Sequence, residues 1–549
     1  MTSNKFPHTG STFAGLALAL AIVASTPSAR ANVYATNIKL NGSLAAISVA
    51  PGSSVSISYI LNEPASDSVK VEILSGATVV RTITIASPNV GTARGVNTIA
   101  WDGKNQSGNN VPVGTYSVRI TAKATGYSDW TQISNDSDPG NYVYEPTGLA
   151  INKNPNSIYY GRVFVGNSVL GPGSSFGDAV GILKLNADGS YADEGGFSTG
   201  GFSWGGDAFS PWKMAISGDD KLYVNHWSAN GTVLAFDQVV SSTYLTVLRG
   251  DADNNPNGVA NMSGPAVTGT GTGTQIWMAD INYTTPAAGT GISRWNVTAD
   301  GTCAPNDTGT RIVKALSGSD LNIYPYHVAV DGSGRIYTIQ YRLNDGDTAP
   351  RVLRFPAYTG TLETTADWKI GSADNTMKGA IGIAVDPTAT YVAVSFSVYF
   401  PSGTGSGGIA ILHASDGSLV SRTVAPLHDT PVVEWDNVGN VYTCDNGDSF
   451  WRIYSPPGAN QATTVAVPAI QVTSPTPPHI TSISISGSTV TINFTGNASD
   501  PSTAFTLVSS GTVTGIFSPA AGASITGSAG SYQATVLTSG PAQFYRIKR

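Results

Sequence analysis

The sequence predicts an all-β protein of several domains, and three observations support this. A strand–turn–strand unit returns five or six times along the middle of the chain. Short apolar–polar alternation, the pattern of half-buried strands, fills the segments on both sides of these repeats. Charged residues make up only 12% of the chain whereas Gly reaches 62 of 549 residues, a balance that is typical of strands joined by many tight turns.

The chain length favours two to four domains, and the N-terminal segment predicts export. Residues 13–24 form an apolar run after Lys5, and Ala29-Arg-Ala31 offers a cleavage site. The run is shorter than the roughly 20 residues that a membrane-spanning helix needs. We therefore expect a signal peptide over residues 1–31 and an exported protein, which is extracellular, on the cell surface or periplasmic.

The charge balance limits the classes of binding partner that we expect. The formal net charge is −7, and removal of residues 1–31, which carry two basic residues and no acid, makes it −9. An acidic chain disfavours nucleic acid and anionic membranes as partners, and we expect no membrane insertion. Cys303 and Cys444 are the two cysteines. They either form a disulfide, which export permits, or remain two separate buried thiols.

Residues 32–126 predict a β-sandwich, because short alternating strands such as 55–60 and 69–74 are separated by polar turns. The closing stretch resembles the Ig-like domain of flagellar hook-capping proteins. The matching residues are Trp101, Asp102, Gly103, Gly108, Pro112, Gly114 and Tyr116. The resemblance implies a spacer domain, and we expect the Trp and Tyr of this pattern to lie in its core.

Residues 135–470 contain the repeats. The clearest copies are 146–151 with 163–166, 212–224, 327–338, 381–394 and 432–443. A period of roughly fifty residues predicts a β-propeller, because one such unit cannot bury its own faces. We expect six blades, with inner strands near 147–151, 212–216, 265–268, 326–330, 381–385 and 431–435. Seven blades would require residues 190–210, which contain Phe197, Phe202 and Trp204, to form a degenerate blade.

The third strand of several repeats alternates apolar and basic residues. Examples are Ile182-Leu-Lys-Leu, Ile292-Ser-Arg-Trp, Val352-Leu-Arg-Phe and Trp451-Arg-Ile-Tyr. This pattern resembles NHL-like and related six-bladed propellers. The resemblance implies a fold alone, because that superfamily holds lyases, lactonases, dehydrogenases and pure binding proteins.

The last part of the chain predicts a linker and a third β domain. Residues 471–478 are rich in Pro, which favours a stiff extended linker, and residues 479–549 alternate as a small β-sandwich does. The ending Phe544-Tyr-Arg-Ile-Lys resembles C-terminal modules on secreted proteins of verrucomicrobial and planctomycete-type bacteria. The resemblance implies surface display or carbohydrate contact, and an ordinary last strand is the alternative.

The residues that precede each predicted inner strand are candidates for a ligand site, because they would meet at one mouth of the propeller channel. They are Glu145, Trp212, Tyr324, Tyr326, His327, Lys378, His428 and Asp429. Aromatic rings suit stacking on a ligand, whereas His and carboxylates suit several divalent ions. The alternative is structural: the aromatic side chains wedge between blades and the histidines cap strands.

A second candidate site is the loop Asp251-Ala-Asp-Asn-Asn-Pro-Asn-Gly. Side-chain oxygens at Asp251, Asp253, Asn255 and Asn257 resemble the first half of a calcium-binding loop. The downstream Glu of an EF-hand is missing. The loop therefore predicts either a weak calcium site, the one cofactor that we expect, or a polar turn.

These observations favour a secreted or cell-surface binding protein whose propeller presents the ligand surface. Its expected partner is an extracellular glycan or a surface protein, with a glycan as the more specific hypothesis because Trp and Tyr stack on sugars. The sequence contains no GxSxG, HExxH, P-loop or CxxCH motif. The competing hypothesis is a propeller lyase or lactonase that uses Glu145, His327 and His428, with a divalent metal in the central funnel.

Overall fold

The computed structural model describes residues 32–205, 209–227, 230–254, 261–281, 291–314, 320–321, 325–340, 351–370, 379–396, 407–421, 427–474, 477–498, 500–538, 540 and 542–549. The predicted signal peptide at 1–31 lies outside them. The described residues form β-strands and short 3₁₀ turns, which confirms the all-β prediction. No helix among them is long and apolar enough to cross a membrane.

The strands fall into three groups along the chain. The first domain begins with β1 (Ala35–Leu40), β2 (Ile47–Val49), β3 (Val55–Leu61), β4 (Ser68–Ser75), β5 (Thr78–Ala86), β6 (Gly95–Trp101) and β7 (Gly114–Tyr127). The middle of the chain contains β8 (Thr131–Gln132), β9 (Pro146–Ile151), β10 (Val163–Asn167), β11 (Gly181–Leu185), β12 (Phe197–Ser198), β13 (Met214–Ile216), β14 (Leu222–His226), β15 (Thr232–Phe236), β16 (Leu245–Leu248), β17 (Asn261–Thr268), β18 (Gln275–Ile281), β19 (Gly291–Asn296), β20 (Thr310–Lys314), β21 (Pro325–Val330), β22 (Ile336–Gln340), β23 (Val352–Phe355), β24 (Trp368–Ile370), β25 (Ala380–Val385), β26 (Tyr391–Phe396), β27 (Gly408–His413), β28 (Leu419–Ser421), β29 (Val433–Trp435), β30 (Val441–Asp445) and β31 (Phe450–Ser455). The last strands are β32 (Gly458–Val465), β33 (Ile470–Val472), β34 (His479–Ser486), β35 (Thr489–Thr495), β36 (Thr506–Ser510), β37 (Ser518–Pro519), β38 (Ser524–Ser528), β39 (Ser531–Leu537) and β40 (Phe544–Lys548).

The middle of the chain is a β-propeller. Its described residues form six four-stranded antiparallel sheets, and the inner strands β9, β13, β17, β21, β25 and β29 contact one another in sequence around a ring. Phe197–Ser198 is the outer strand of the first sheet. This segment therefore belongs to a sheet with β9–β11, and not to the separate degenerate blade considered for 190–210.

An Asp at the same position in three repeats explains why the strand–turn–strand unit recurs. Asp331, Asp386 and Asp436 each follow an inner strand, and one carboxylate oxygen of each accepts two or three backbone N–H groups of the next turn. Such side-chain caps fix a tight turn without a specific partner from elsewhere. The turn then feeds the second strand of the sheet at a constant offset.

The propeller ring is closed by a strand from the N-terminal side. The sixth sheet has the order β29-β30-β31-β8, so its outermost strand precedes the first sheet in the chain. Gln132 pairs with Tyr454, and the backbone N–H of Ile133 donates to the carbonyl of Ile453 at 2.9 Å. The predicted start of the propeller at residue 135 therefore comes after β8 (Thr131–Gln132), which belongs to the ring.

The first domain is a sandwich that the chain completes only after it has made the propeller. One sheet has the order β1-β3-β6, and the other has the order β2-β33-β7-β4-β5, with β32 also paired to β7. The predicted boundaries of the propeller at 470 and of the linker at 471–478 are thus corrected, because 458–465 and 470–472 are sandwich strands. Ile470 and Val472 fill the same core as Trp101 and Tyr116, which are core residues as expected.

The two passages of the chain between the domains run side by side. Tyr127 pairs with Gly458 on the sandwich side, and Thr131 pairs with Ser455 on the propeller side. Gly126 has a φ of +77°, and a Cβ there would lie 1.7 Å from the carbonyl oxygen of Gly458. Only glycine permits this close approach of the two backbones.

Two further features complete the fold. The C-terminal domain stacks a sheet with the order β34-β35-β39-β38 against one with the order β37-β36-β40, around a core that contains Phe494, Phe505 and Tyr532. Cys303 and Cys444 are both buried and free. Of the two alternatives for the cysteines, the structure has separate thiols.

Candidate functional site

Aromatic packing fills the predicted funnel at the positions of Trp212 and Tyr326. These residues are only 3% and 6% exposed, and their ring centroids lie 6.0 Å apart in an edge-to-face arrangement. The indole N–H of Trp212 donates to Ser263 Oγ at 2.9 Å on the next sheet. This corrects the expectation that the two rings form a stacking platform, because their faces already pack between sheets.

A buried lysine that sequence reasoning missed ties three sheets together. Lys213 is fully buried, and its Nζ donates to the carbonyls of Ile381 (3.3 Å) and Pro431, on the fifth and sixth sheets. The ammonium also lies 4.6 Å from the ring centroid of Trp212. Burial lowers the pKa of Lys213 to about 7, although the carbonyls and the indole ring favour the charged form.

His327 lies in the same interior. Its Nδ1 accepts the backbone N–H of Ile383 at 3.1 Å, which leaves the proton of the neutral ring on Nε2. Burial, with a smaller effect from the Lys213 ammonium, holds the pKa of His327 well below its usual range. The imidazole is therefore neutral at physiological pH and suits a hydrogen-bonding role in the ring of sheets.

The inner strands enclose a cavity of about 130 Å³ that His327 helps to line. Aliphatic side chains form most of its wall, and Lys153 and Glu434 form a 2.7 Å ion pair at its lining. At about 30 Å³ per water molecule, the space suits roughly four waters. The cavity that the described residues line is thus smaller than an ordinary ligand site.

His428 has a different environment from His327. Its side chain is exposed, and its Nδ1 lies 2.8 Å from Asp448 Oδ1. One potential ligand atom from each of His428, Asp445 and Asp448 lies within 4.8 Å of the others, so these three residues are a candidate metal cluster. The Arg452 guanidinium donates to Asp445 at 2.9 Å and to Asp448 at 3.0 Å. A divalent ion would have to compete with this cation for both carboxylates.

The remaining funnel candidates do not converge with the histidines. Glu145 is half-buried and uses its backbone N–H to bond Asn167 Oδ1 at 2.9 Å. Among the described residues, no hydrogen bond or ion pair joins the Glu145 carboxylate to His327 or His428. Asp429 lies next to His428, and its N–H points to Asp445 Oδ1 at 3.3 Å. Tyr324 and Lys378 lie outside the described residues.

A groove lies at the outer edge of the second sheet. It has a volume of about 700 Å³ and is lined by residues of β14–β16, the loop after β16 and a loop of the third sheet. Tyr244 is 40% exposed, and its ring packs edge-on against Phe202 at 5.2 Å, which in turn packs edge-on against His226 at 5.1 Å. Arg249, Asp251 and Asp253 supply the polar side of the groove.

The predicted calcium loop thus contributes to this groove. Asp251 Oδ1 accepts the Thr232 hydroxyl at 3.1 Å, and Asp253 lies 3.8 Å from Arg249 Nε. Asn254, which the sequence pattern did not select, is buried and anchors the loop through two 2.9 Å bonds to the carbonyls of Ala304 and Asp307. Asn255 and Asn257 lie outside the described residues, so the four-oxygen arrangement stays a prediction.

Comparison with known proteins identifies one domain family. Residues 45–126 match the model of the FlgD Ig-like domain, in agreement with the resemblance carried by the Trp-Asp-Gly and Pro-x-Gly-x-Tyr stretches. No curated protein matches the chain. The resemblance of the repeats to NHL-like propellers stays a prediction.

Solved β-propellers are among the structures to which this chain is similar. The WD40 propeller domain of Doa1 is 10% identical, with 78% of this chain and 97% of that chain covered and a TM-score of 0.35. A candidate 6-phosphogluconolactonase from Bacteroides uniformis is 12% identical, with 72% and 95% covered and a TM-score of 0.34. One from Bacteroides fragilis is 14% identical, with 74% and 96% covered and a TM-score of 0.35. We assign the propeller from the strand order alone.

The site residues that sequence reasoning missed carry no local signal of their role. Lys213 reaches carbonyls 168 and 218 positions away. Tyr244 and Arg249 flank the outer strand β16, where no repeat marks them. One signal in the sequence could have identified Lys213. It lies directly before an inner strand, and the same kind of position was the reason for choosing its neighbour Trp212.

Proposed function

We propose that this chain is a secreted or cell-surface binding protein that holds a glycan in the groove at the outer edge of the second sheet. The observation that carries the proposal is the combination of an exposed tyrosine ring with three charged side chains around about 700 Å³. This volume lies in the range of ordinary ligand sites. The buried funnel residues are not part of the proposed site.

The chemistry of the groove fits a saccharide. The flat face of an aromatic ring matches the apolar face of a pyranose. Phe202 packs edge-on against the Tyr244 ring, and His226 packs edge-on against Phe202 in turn. Arg249 offers donors, whereas Asp251 and Asp253 offer acceptors, so adjacent hydroxyls find partners of both kinds. The two carboxylates outnumber the one guanidinium, which favours a neutral or amino sugar over a uronate.

Replacement of Tyr244 by Ala should lower glycan affinity about tenfold, because an aromatic contact contributes about 1–1.5 kcal/mol. A glycan array with the mature protein identifies the ligand, and calorimetry then compares wild type with Y244A. Phe176→Ala is the matched control, since Phe176, between β10 and β11, is 45% exposed and lies outside the groove. The proposal fails if no glycan binds, or if both substitutions change the affinity equally.

We further propose that calcium binds the loop at 251–257 and orders that side of the groove. Because the ion would bind only the folded state, calcium at about 100 times its Kd should stabilise the protein by roughly 2.7 kcal/mol. The melting temperature should rise with calcium and less with magnesium, which loses its water reluctantly. Asp251→Ala and Asp253→Ala should each abolish the rise.

Asp416→Asn is the control for the calcium experiment, because Asp416 is an exposed turn residue of the fifth sheet. This variant should keep the full response. Identical melting curves of the wild type in millimolar calcium and in chelator would show that the loop is only a polar turn.

A second candidate function is lactone hydrolysis or a lyase reaction at His428. The observation that favours it is the 2.8 Å contact from Asp448 to Nδ1 of an exposed imidazole, which orients Nε2 outward as a general base. In lactone hydrolysis the imidazole would take a proton from water as the oxygen adds to the carbonyl carbon, and the imidazolium would return that proton to the leaving alkoxide as the ring C–O bond breaks. A divalent ion held by Asp445 and Asp448 would polarise that carbonyl, with the imidazole left free as the base.

This second function predicts one divalent ion per chain in protein purified without chelator, and turnover on a panel of lactones and uronates. His428→Ala should abolish the turnover. His413→Ala, on the third strand of the fifth sheet, should change neither the ion content nor the turnover. Substoichiometric metal together with no turnover in the wild type would eliminate the enzyme hypothesis.

A further inference from the structure

The edge strand β34 of the C-terminal domain exposes two apolar side chains. Among the described strands, β34 pairs with β35 alone and is the first strand of the sheet β34-β35-β39-β38. Ile483 and Ile485 on this strand are 55% and 68% exposed. Single exposed apolar residues are common on protein surfaces. These two, however, lie two positions apart on one strand and therefore share one face of the sheet.

The shared face is the one that packs the core of the domain. Ile483 pairs directly with Ile492, and Ile485 pairs directly with Val490. Directly opposed residues of an antiparallel pair project from the same side of the sheet. Ile492 and Val490 are buried in the domain core, so the two exposed isoleucines extend the core face beyond the part that is covered.

The second sheet of the domain is too narrow to cover this part of β34. Its described strands are the three in the order β37-β36-β40, whereas the first sheet has four. Ile525 on the opposite edge strand β38 packs against the core, and so does Ile480 at the start of β34. The uncovered part of the core face is therefore the part of β34 that follows Ile480.

This edge lacks the features that usually prevent a further strand from pairing. Exposed edge strands commonly carry charged side chains, a Pro or a β-bulge, because their unpaired backbone groups can bind another strand. Residues 479–486 contain no Lys, Arg, Asp, Glu or Pro. The register shift of β34 lies between Ile480 and Ser482, and the residues from Ser482 to Ser486 pair regularly with β35. An incoming strand would meet neither a charge nor a bulge there.

The uncovered stretch reads the same in both directions around Ser484, as Ser482-Ile-Ser-Ile-Ser486. When two copies pair antiparallel with Ser484 opposite itself, Ile483 of each copy lies opposite Ile485 of the other. A two-fold axis perpendicular to the sheet keeps both core faces on the same side. The four isoleucines then cover one another, whereas serine meets serine on the polar face, where Ser482 already accepts the side-chain amide of Asn493 at 2.9 Å.

We propose that the C-terminal domain binds a second copy of this chain by antiparallel pairing of β34, which joins two four-stranded sheets into one of eight strands. The self-complementary order of Ile and Ser identifies the partner strand. Neither copy brings a charge into the contact, so no ion loses its hydration. The contact is separate from the groove at the second sheet of the propeller.

The size of the contact sets its strength. A strand of eight residues is about 27 Å long and buries on the order of 300 Å² per partner, whereas a standard stable interface buries about 800 Å² per partner. β-Branched cross-strand pairs add only about 0.2–1 kcal/mol each. The dimer is therefore weak and exchanges with the monomer.

Cysteine cross-linking of the full mature chain tests the register of the pairing. Ser484→Cys should give a disulfide-linked dimer with diamide as the oxidant, because residue 484 lies opposite itself with Cβ atoms about 4.5–5.5 Å apart. Ser482→Cys and Ser486→Cys should each stay monomeric alone, whereas an equimolar mixture of the two should give a dimer. The native Cys303 and Cys444 are buried and do not compete.

Ser524→Cys is the matched control for cross-linking, because Ser524 is exposed on the opposite edge strand β38 of the same sheet. This variant should stay monomeric. The proposal is overturned if Ser484→Cys gives no dimer, or if Ser484→Cys and Ser524→Cys cross-link equally.

Sedimentation velocity over a concentration series measures the association without a cross-link. The average mass of the wild type should rise with concentration, and Ile485→Lys should remove the rise because it places a charge in the contact. Leu537→Lys should keep the wild-type behaviour, since Leu537 is 65% exposed on the inner strand β39. Identical profiles of the wild type and Ile485→Lys would contradict the proposal. Glycan binding at the groove is measured separately and does not depend on this result.

Discussion

The structure depends on one constraint: the chain passes between the sandwich and the propeller twice, and the two passages are hydrogen-bonded to each other. On one side β7 pairs with β32, and on the other β8 pairs with β31. The second pairing closes the propeller ring, whereas the first covers an edge of the sandwich sheet that would otherwise expose unpaired backbone groups. The same two passages of the chain therefore close the ring and complete the sandwich.

This constraint changes the role of the first domain. A sandwich joined by one flexible linker would be a spacer, as the resemblance to hook-capping domains implies. In this chain Gly126 and Gly458 bring the two backbones into close contact, and Glu63, Tyr34 and Tyr442 bury polar groups between the domains. The sandwich is consequently fixed against the sixth sheet. None of the described residues that line the groove at the second sheet belongs to the sandwich.

The sequence predicted the elements well, because they follow from local patterns. The predicted inner strands all overlap β9, β13, β17, β21, β25 and β29, since the alternation and the capping Asp lie within a few residues of each other. The pairing of β32 and β33 with the sandwich could not be predicted, because the residue pattern of a strand does not indicate which other strand it pairs with. The prediction of the site residues was limited for the same reason. Register placed Trp212 and Tyr326 at a channel mouth, but only the packing of neighbouring sheets shows that their rings are buried.

The central claim, that the segment after the propeller completes the sandwich, is tested most directly by Ile470→Ala. Ile470 is fully buried in the sandwich core, so we expect a loss of about 2–5 kcal/mol in the free energy of unfolding measured with denaturant. Val467→Ala, three residues earlier and at a position that is 45% exposed, should change it by less than about 0.5 kcal/mol. Equal and small effects of the two substitutions would mean that residues 458–472 are a linker, and would contradict the claim.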